Sequence, residues 1–152
     1  MKNRHSHFPL FIDISKMNIL VIGAGQIACR RIETLLLFDS HITVVSPEIR
    51  EEVRQLPVEL IEREFQASDL NHRDMVIIAT NDEVLNERIA NICTHKEILK
   101  NVISNRELCD FYFPGIIQEE EAVIGITTGG ASPKKAKEIR KKIQKGLQTE
   151  HE

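Results

Sequence analysis

The 152-residue sequence has few cysteines and no long apolar segment. Cys29, Cys93 and Cys109 are odd in number and lack Cys-x-x-Cys spacing, so neither a disulfide framework nor a zinc knuckle is indicated. We expect them to be buried as small apolar side chains. No apolar run approaches the roughly 20 residues that span a bilayer, and the N-terminal segment lacks the apolar core of a signal peptide. The sequence therefore predicts a cytoplasmic protein with no membrane partner.

The charged residues are unevenly distributed. The net charge is −3, yet residues 134–145 contain seven basic side chains and one acidic one, a local charge of +6. No nucleic-acid partner is expected, because this basic run lacks interleaved aromatic residues and the rest of the chain is acidic. The six histidines show no ligand spacing on a common face, so no protein-bound metal is predicted.

The order of the apolar segments predicts an α/β fold. Short apolar runs, typical of strands buried on both faces, alternate with segments of helical periodicity. Alternation of this kind favours βαβ units and a Rossmann-like, doubly wound parallel sheet. The five predicted strands are residues 17–22, 41–47, 58–64, 74–80 and 98–104.

The pattern changes after residue 104. Two further apolar runs, residues 110–118 and 122–130, flank an acidic turn and predict a β-hairpin. A last helix is expected to begin at Pro133, with Ser132 as its N-cap.

A hairpin and one thin helix bury little surface by themselves, so we expect this part of the chain to pack against a second subunit as a dimerisation segment. The predicted organisation is a dinucleotide-binding Rossmann domain at residues 1–106 and the dimerisation segment at residues 107–152.

The first predicted strand leads directly into a glycine-containing turn that reads GAGQIA. Gly23 allows the tight turn, Gly25 lets the backbone approach a pyrophosphate, and the small Ala28 lets the helix pack closely on the strand. Gln26 and Ile27 lie at the helix N-terminus, where backbone amides and the helix dipole attract phosphate. The turn predicts dinucleotide binding, and the alternative is a plain connection between strand and helix.

Further cofactor contacts are expected where the second strand ends. Ser46, Pro47 and Glu48 stand where dinucleotide-binding folds commonly place an acidic residue for the adenine ribose. The strand end carries no arginine for a 2′-phosphate, and Arg50 is the nearest, so NAD is favoured over NADP.

Two later strands complete the predicted cofactor site. Thr80 and Asn81 follow the fourth strand, where the carboxyl-end loops of a doubly wound sheet face the ligand. Alternatively, Asn81 or Asp82 serves only as the N-cap of the next helix. Asn101 and Val102, on the fifth strand, are the remaining predicted cofactor contacts.

Several segments occur in an order that resembles one known family. Together they are similar to the precorrin-2 dehydrogenase family, the dehydrogenase and chelatase module of siroheme synthases, over residues 8–147. The resemblance implies that a homodimer oxidises precorrin-2 to sirohydrochlorin with NAD, and in some members ferrous iron is then inserted as a second substrate. The segments that carry it are FPLFIDI, VIGAGQIACRRIETLL, TVVSPE, IIATNDEVLNERIA, NVISNRELCDFYFPGII and TTGGASP.

The resemblance also assigns catalytic residues, with one departure. Where the family reads Asn-Val-Val-Asp, this chain reads Asn-Val-Ile-Ser, so the aspartate tied to both activities is replaced by Ser104, a neutral hydroxyl. Asp110, which matches the aspartate of the family's Cys-Asp-Phe stretch, is either a catalytic substitute or a structural residue. Three hypotheses follow: an NAD-dependent dehydrogenase, a non-catalytic carrier or partner protein that binds NAD and the tetrapyrrole, or a chelatase that no longer uses NAD. The intact glycine turn counts against the third. We expect no counterpart of the further helical domain that many members carry.

The resemblance implies a tetrapyrrole-binding segment as well. Hydroxyls and backbone amides around residues 127–132 suit the carboxylates of such a substrate, and the basic helix attracts the same anion. The alternative for the basic helix is a solvated face. The predicted substrate contacts are Thr127, Thr128, Gly129, Gly130 and Ser132.

Overall fold

A computed structural model of the protein describes residues 6–149. Its main sheet has five parallel strands in the order β3-β2-β1-β4-β5, so the strand order reverses between β1 and β4 as in a Rossmann fold. The strands are β1 (Asn18–Ile22), β2 (His41–Val45), β3 (Glu59–Ile61), β4 (Met75–Ile78) and β5 (Leu99–Val102). The helices among them are α1 (Gln26–Leu35), α2 (Glu51–Arg54) and α3 (Glu83–His95), with 3₁₀ turns at Ala67–Leu70 and Arg106–Leu108.

The two central strands are apolar because both of their faces are covered. Residues 19–22 of β1 and 75–78 of β4 are all buried. Successive side chains of a strand point to opposite faces, so a continuous apolar run has no solvent side. On one face, α3 packs against β1, β4 and β5 through Ile89, Ala90 and Cys93. The sheet is therefore held by burial on both faces.

The second part of the chain forms an antiparallel hairpin and a helix. They are β6 (Gly115–Gln118), β7 (Val123–Ile126) and α4 (Pro133–Thr149), and α4 packs on both strands. Ile117 and Ile126 are buried between these elements. The predicted Rossmann-like fold followed by a hairpin and a helix is confirmed.

The described chain divides into two compact units, residues 12–112 and residues 6–11 with 113–149. The division falls after Tyr112, whereas the sequence suggested a domain boundary after residue 106. The difference arises because the segment after residue 106 is bound to β5: the Asp110 amide donates to the Lys100 carbonyl at 2.9 Å. Residues 1–5 and 150–152, at the ends of the predicted domains, lie outside the described residues.

Within residues 6–149, no helix is both long enough and apolar enough to cross a membrane.

Gly23 allows the chain to turn across the end of β4. Its φ is +99°, and a Cβ atom built there would lie 2.3 Å from the carbonyl oxygen of Ala79. Its amide donates to the Val45 carbonyl at 2.9 Å, which anchors the turn to β2 as well. Only glycine meets both the backbone conformation and the close approach.

We expect Gly23→Ala to lower the free energy of unfolding by about 2–4 kcal/mol, because the added methyl overlaps backbone atoms and the positive φ disfavours L side chains. Gly25→Ala is the matched control. Gly25 has φ −80° and no heavy atom within 4 Å of a built Cβ. The control should cost about 1 kcal/mol or less. Urea denaturation compares the two, and equal midpoints would show that Gly23 does not constrain the fold.

Candidate functional site

The candidate site lies at the carboxyl ends of the parallel strands, beside the position where the strand order reverses. Gly25 is the N-cap of α1 and, having no side chain, leaves the first helical amides uncapped. Gly25, Gln26 and Ile27 are exposed, and a Cβ atom built at Gly25 finds open space. Ala28 is buried against the sheet. This turn has the free amides and the room that a pyrophosphate requires.

The end of β2 presents a tight local turn. Ser46 is buried, and its hydroxyl donates to the Glu48 carbonyl at 2.7 Å. Pro47 and Glu48 are exposed beside it. The Arg50 guanidinium is already ion-paired with Glu52 at 2.7 Å. The exposed polar side chain directly after this strand is therefore a carboxylate, and the nearest arginine is ion-paired with Glu52.

The loop after β4 begins α3. Asp82 is the N-cap of this helix, because its carboxylate accepts a hydrogen bond from the Leu85 amide at 3.0 Å. Asn81 is exposed and is not the cap, so the capping role that competed with ligand binding belongs to Asp82. Asn81 stays a predicted cofactor contact.

A buried asparagine, absent from the predicted site residues, joins the ends of β4 and β5. Asn86 on α3 is 1% exposed. Its Nδ2 donates to the Thr80 carbonyl at 3.0 Å and to the Ser104 Oγ at 3.2 Å. The signal in the sequence was a polar residue within the apolar stripe of α3, three positions before the buried Ile89. Asn86 thus brings together two residues that were predicted for the site, Thr80 and Ser104.

The predicted contacts on β5 are turned inward. The Asn101 Nδ2 donates to the Phe111 carbonyl at 2.9 Å. The Val102 amide donates to the Cys109 Sγ at 3.1 Å, and the thiol donates back to the Val102 carbonyl at 3.3 Å. Asn101 and Val102 therefore hold residues 109–111 in place, and their contact with a cofactor stays a prediction.

The cysteines have packing and hydrogen-bonding roles. Cys29 and Cys93 are buried as expected, whereas Cys109 is half-buried and uses its thiol in the β5 contacts. Burial raises the pKa of the Cys93 thiol to about 11 and also raises the pKa of the Cys109 thiol. All three are poorly suited to act as nucleophiles near neutral pH, since burial likewise raises the pKa of Cys29.

Asp110 is engaged by a buried lysine. The Lys100 Nζ donates to the two carboxylate oxygens at 2.8 and 3.0 Å, and the Lys100 amide adds a bond of 3.0 Å. The Lys100 side chain is only 8% exposed. Removing the carboxylate would leave a buried ammonium group unpaired, which is costly. These contacts favour the structural interpretation of Asp110, and its role in catalysis stays a prediction.

The predicted substrate contacts lie in the other unit, in the turn between β7 and α4. Ser132 is the N-cap of α4, as predicted, and its Oγ accepts from the Lys135 amide at 3.2 Å. The Thr128 hydroxyl donates to the Ser132 carbonyl at 3.0 Å, and the Thr127 hydroxyl accepts from the Gly129 amide at 3.1 Å. The hydroxyl groups organise the turn itself. Gly129 and Gly130 both have positive φ, +64° and +77°.

Comparisons with known proteins agree with this geometry. The family described as putative NAD(P)-binding matches residues 10–115. The chain is 36% identical over 142 residues to a siroheme synthase of Pseudoalteromonas atlantica, covering 91% of this chain and 31% of that protein. A siroheme synthase of Thioalkalivibrio sulfidiphilus is 35% identical, with 90% and 29% covered. The chain belongs to the precorrin-2 dehydrogenase and siroheme synthase family.

A solved structure supports the same assignment. The structure of SirC, a precorrin-2 dehydrogenase, superposes with a TM-score of 0.76 at 25% identity, covering 92% of this chain and 71% of that one. The resemblance inferred from the sequence is confirmed, and the cofactor of the chain is a nicotinamide dinucleotide. The chain spans less than a third of the length of the curated siroheme synthases that it matches.

We expect Gly25→Asp to weaken dinucleotide binding without unfolding the protein, because the new carboxylate projects from an open turn toward the place predicted for a pyrophosphate. Gly25→Asn is the matched control, with the same size and no charge. Isothermal calorimetry with NAD and NADP in turn measures the affinities. Binding should fall further for the aspartate variant, and unchanged affinity in a folded Gly25→Asp protein would remove the turn from the site.

Proposed function

We propose that the protein oxidises precorrin-2 to sirohydrochlorin with NAD as the oxidant. The observation that carries the proposal is the open Gly25 turn at the sheet edge, in a chain of this family. The reaction removes a hydride and a proton from the substrate, and a bound nicotinamide supplies the hydride acceptor. The protein must therefore hold the dinucleotide, orient the tetrapyrrole beside it and release the proton.

The first step is to hold the dinucleotide. We assign the pyrophosphate to the backbone amides at the start of α1, where the helix dipole favours an anion. Ser46–Glu48 is assigned to the adenosine side, and Thr80 with Asn81 to the nicotinamide side. We assign NAD over NADP because the exposed Glu48 would repel a 2′-phosphate.

Ser104 is assigned to the substrate side of the same edge. Its hydroxyl has no useful basicity near neutral pH, so it does not serve as a general base there. Hydride transfer depends mainly on the approach of the substrate carbon to the nicotinamide. A side chain that orients the substrate by hydrogen bonding is therefore sufficient at this position for the dehydrogenase reaction.

The unit that contains α4 is assigned to the substrate anion and to a second subunit. Residues 127–132 with the basic face of α4 suit a polycarboxylate. Phe8, Leu10 and Phe11 are 85%, 72% and 72% exposed in this unit, which supports burial against a partner in a homodimer. Light scattering of the full chain at micromolar concentration measures the stoichiometry.

We place the protein in the cytoplasm, where thiols such as Cys29 and Cys93 stay reduced.

The direct test is to mix the protein with precorrin-2 and NAD and to follow NADH and sirohydrochlorin by absorbance. We expect one NADH for each sirohydrochlorin formed, and a much slower reaction with Gly25→Asp. If the protein binds both NAD and the tetrapyrrole but forms no NADH, it is a carrier and not a dehydrogenase.

Insertion of ferrous iron is a separate step that must release two pyrrole protons. Ser104→Asp supplies a proton acceptor, so we expect it to raise iron or cobalt insertion into sirohydrochlorin by up to about 10²- to 10⁴-fold, the range of a general base. Ser68→Asp, an exposed change in the 3₁₀ turn at Ala67–Leu70, is the control for added charge. Efficient insertion by the unaltered protein, unaffected by Ser104→Asp, would show that residue 104 is not the altered catalytic position.

A further inference from the structure

The buried amide of Asn86 determines how Ser104 is presented at the sheet edge. Asn86 is 1% exposed, and its side chain makes three hydrogen bonds. The Thr80 hydroxyl donates to its Oδ1 at 2.5 Å, and its Nδ2 donates to the Thr80 carbonyl at 3.0 Å and the Ser104 Oγ at 3.2 Å. A polar side chain this deeply buried is stable only when its groups are paired, as they are here.

The orientation of the amide follows from its partners. The Thr80 carbonyl oxygen can only accept, so the atom of Asn86 that faces it must be the NH₂ nitrogen. The same nitrogen faces the Ser104 Oγ, and its two protons serve these two acceptors. The opposite orientation would bring two oxygens together at the Thr80 carbonyl.

A serine hydroxyl has one proton. Because the Ser104 Oγ accepts from Asn86, its own proton is directed away from the amide, and Ser104 is exposed. We propose that Asn86 is a positioning residue that makes Ser104 a neutral hydrogen-bond donor toward a carboxylate of the tetrapyrrole substrate. This assignment rests on the proposed function for the identity of the ligand, but the hydrogen bond itself does not.

The side-chain amide of Asn86 also connects the loop after β4 with the loop after β5. Thr80 directly follows Ala79, whose carbonyl lies against Gly23, so the Asn86 contacts join the glycine turn, the β4 loop and the β5 loop in one connected set. The nicotinamide side and the substrate side are held at a fixed separation by one side chain.

Asn86→Asp tests the polarity. It keeps the shape and replaces the NH₂ nitrogen, which donates to both the Thr80 carbonyl and the Ser104 Oγ, by a carboxyl oxygen. The Ser104 hydroxyl then turns inward to donate to the new carboxylate and no longer faces the substrate, and the bond to the Thr80 carbonyl is lost as well. We expect the kcat for NADH formation from precorrin-2 to fall about tenfold, the loss that one hydrogen bond commonly produces. Asn91→Asp, on the exposed side of the same helix, adds the same charge and should leave kcat unchanged.

A double-mutant comparison separates positioning from general damage to the fold. Ser104→Ala should lower kcat by a similar factor, and Ser104→Ala with Asn86→Asp should be no worse than either change alone, because both remove the same donor. If the two losses multiply, Asn86 acts independently of Ser104 and the proposal is wrong.

The hydrogen bond between Asn86 and Ser104 can be tested without substrate. In ¹⁵N-labelled protein, Ser104→Ala should shift the Asn86 side-chain NH₂ resonances and speed their exchange with solvent, while the side-chain resonances of Asn91 stay in place. Unchanged Asn86 resonances overturn the proposal, even if Asn86→Asp fails to fold. If these resonances move as expected but the unaltered protein forms no NADH, the proposed dehydrogenase function is wrong. The hydrogen bond from Asn86 to Ser104, and the outward direction of the Ser104 proton, are then still supported.

Discussion

The close approach of the Gly23 backbone to Ala79 is the constraint on which the site depends. Parallel strands β1 and β4 are neighbours where the order of the sheet reverses, so the loops that follow their carboxyl ends lie side by side. With no side chain at Gly23, β1 turns across the end of β4, and α1 begins three residues later, at Gln26, with uncapped amides at its N-terminus. Any larger residue would separate the two loops that are assigned to the dinucleotide.

Contacts of buried polar side chains hold the loops that follow the strands. Apolar packing holds the sheet, but it does not orient the loops that leave it. Asn86 joins the loops after β4 and β5, while Lys100 binds the carboxylate of Asp110 and closes the segment that follows β5. Each is a buried polar or charged group with its partners in place, so the loops are held in one arrangement because the alternative is an unpaired group in the interior.

The sequence predicted the fold through its apolar runs, and the cofactor through the glycine turn and the order of the family segments. The strand ends differ from the prediction. The predicted strand at residues 41–47 ends at Val45, since Pro47 has no amide to continue the ladder. The hairpin run from residue 110 becomes a strand only at Gly115, because Asp110 and Phe111 are bound to β5.

The partners of polar side chains could not be predicted in the same way. An asparagine in a helical stripe indicates burial but does not reveal which acceptors it meets, because those lie in loops distant in the sequence. Lys100, within an apolar strand, likewise gave no indication that Asp110 would pair with it. The hydroxyls of Thr127 and Thr128 were assigned to a ligand, and in the structure they also organise their own turn.

Binding of the dinucleotide at the carboxyl edge of the sheet can be tested directly by titrating ¹⁵N-labelled protein with NAD and mapping the backbone amide shifts. We expect perturbations concentrated in residues 23–28, 46–48 and 80–82. Amides at the opposite edge, such as those of Asn18 and His41, should not move. Saturable shifts confined to that opposite edge, or an absence of shifts at residues 23–28 while NAD is bound, would contradict it.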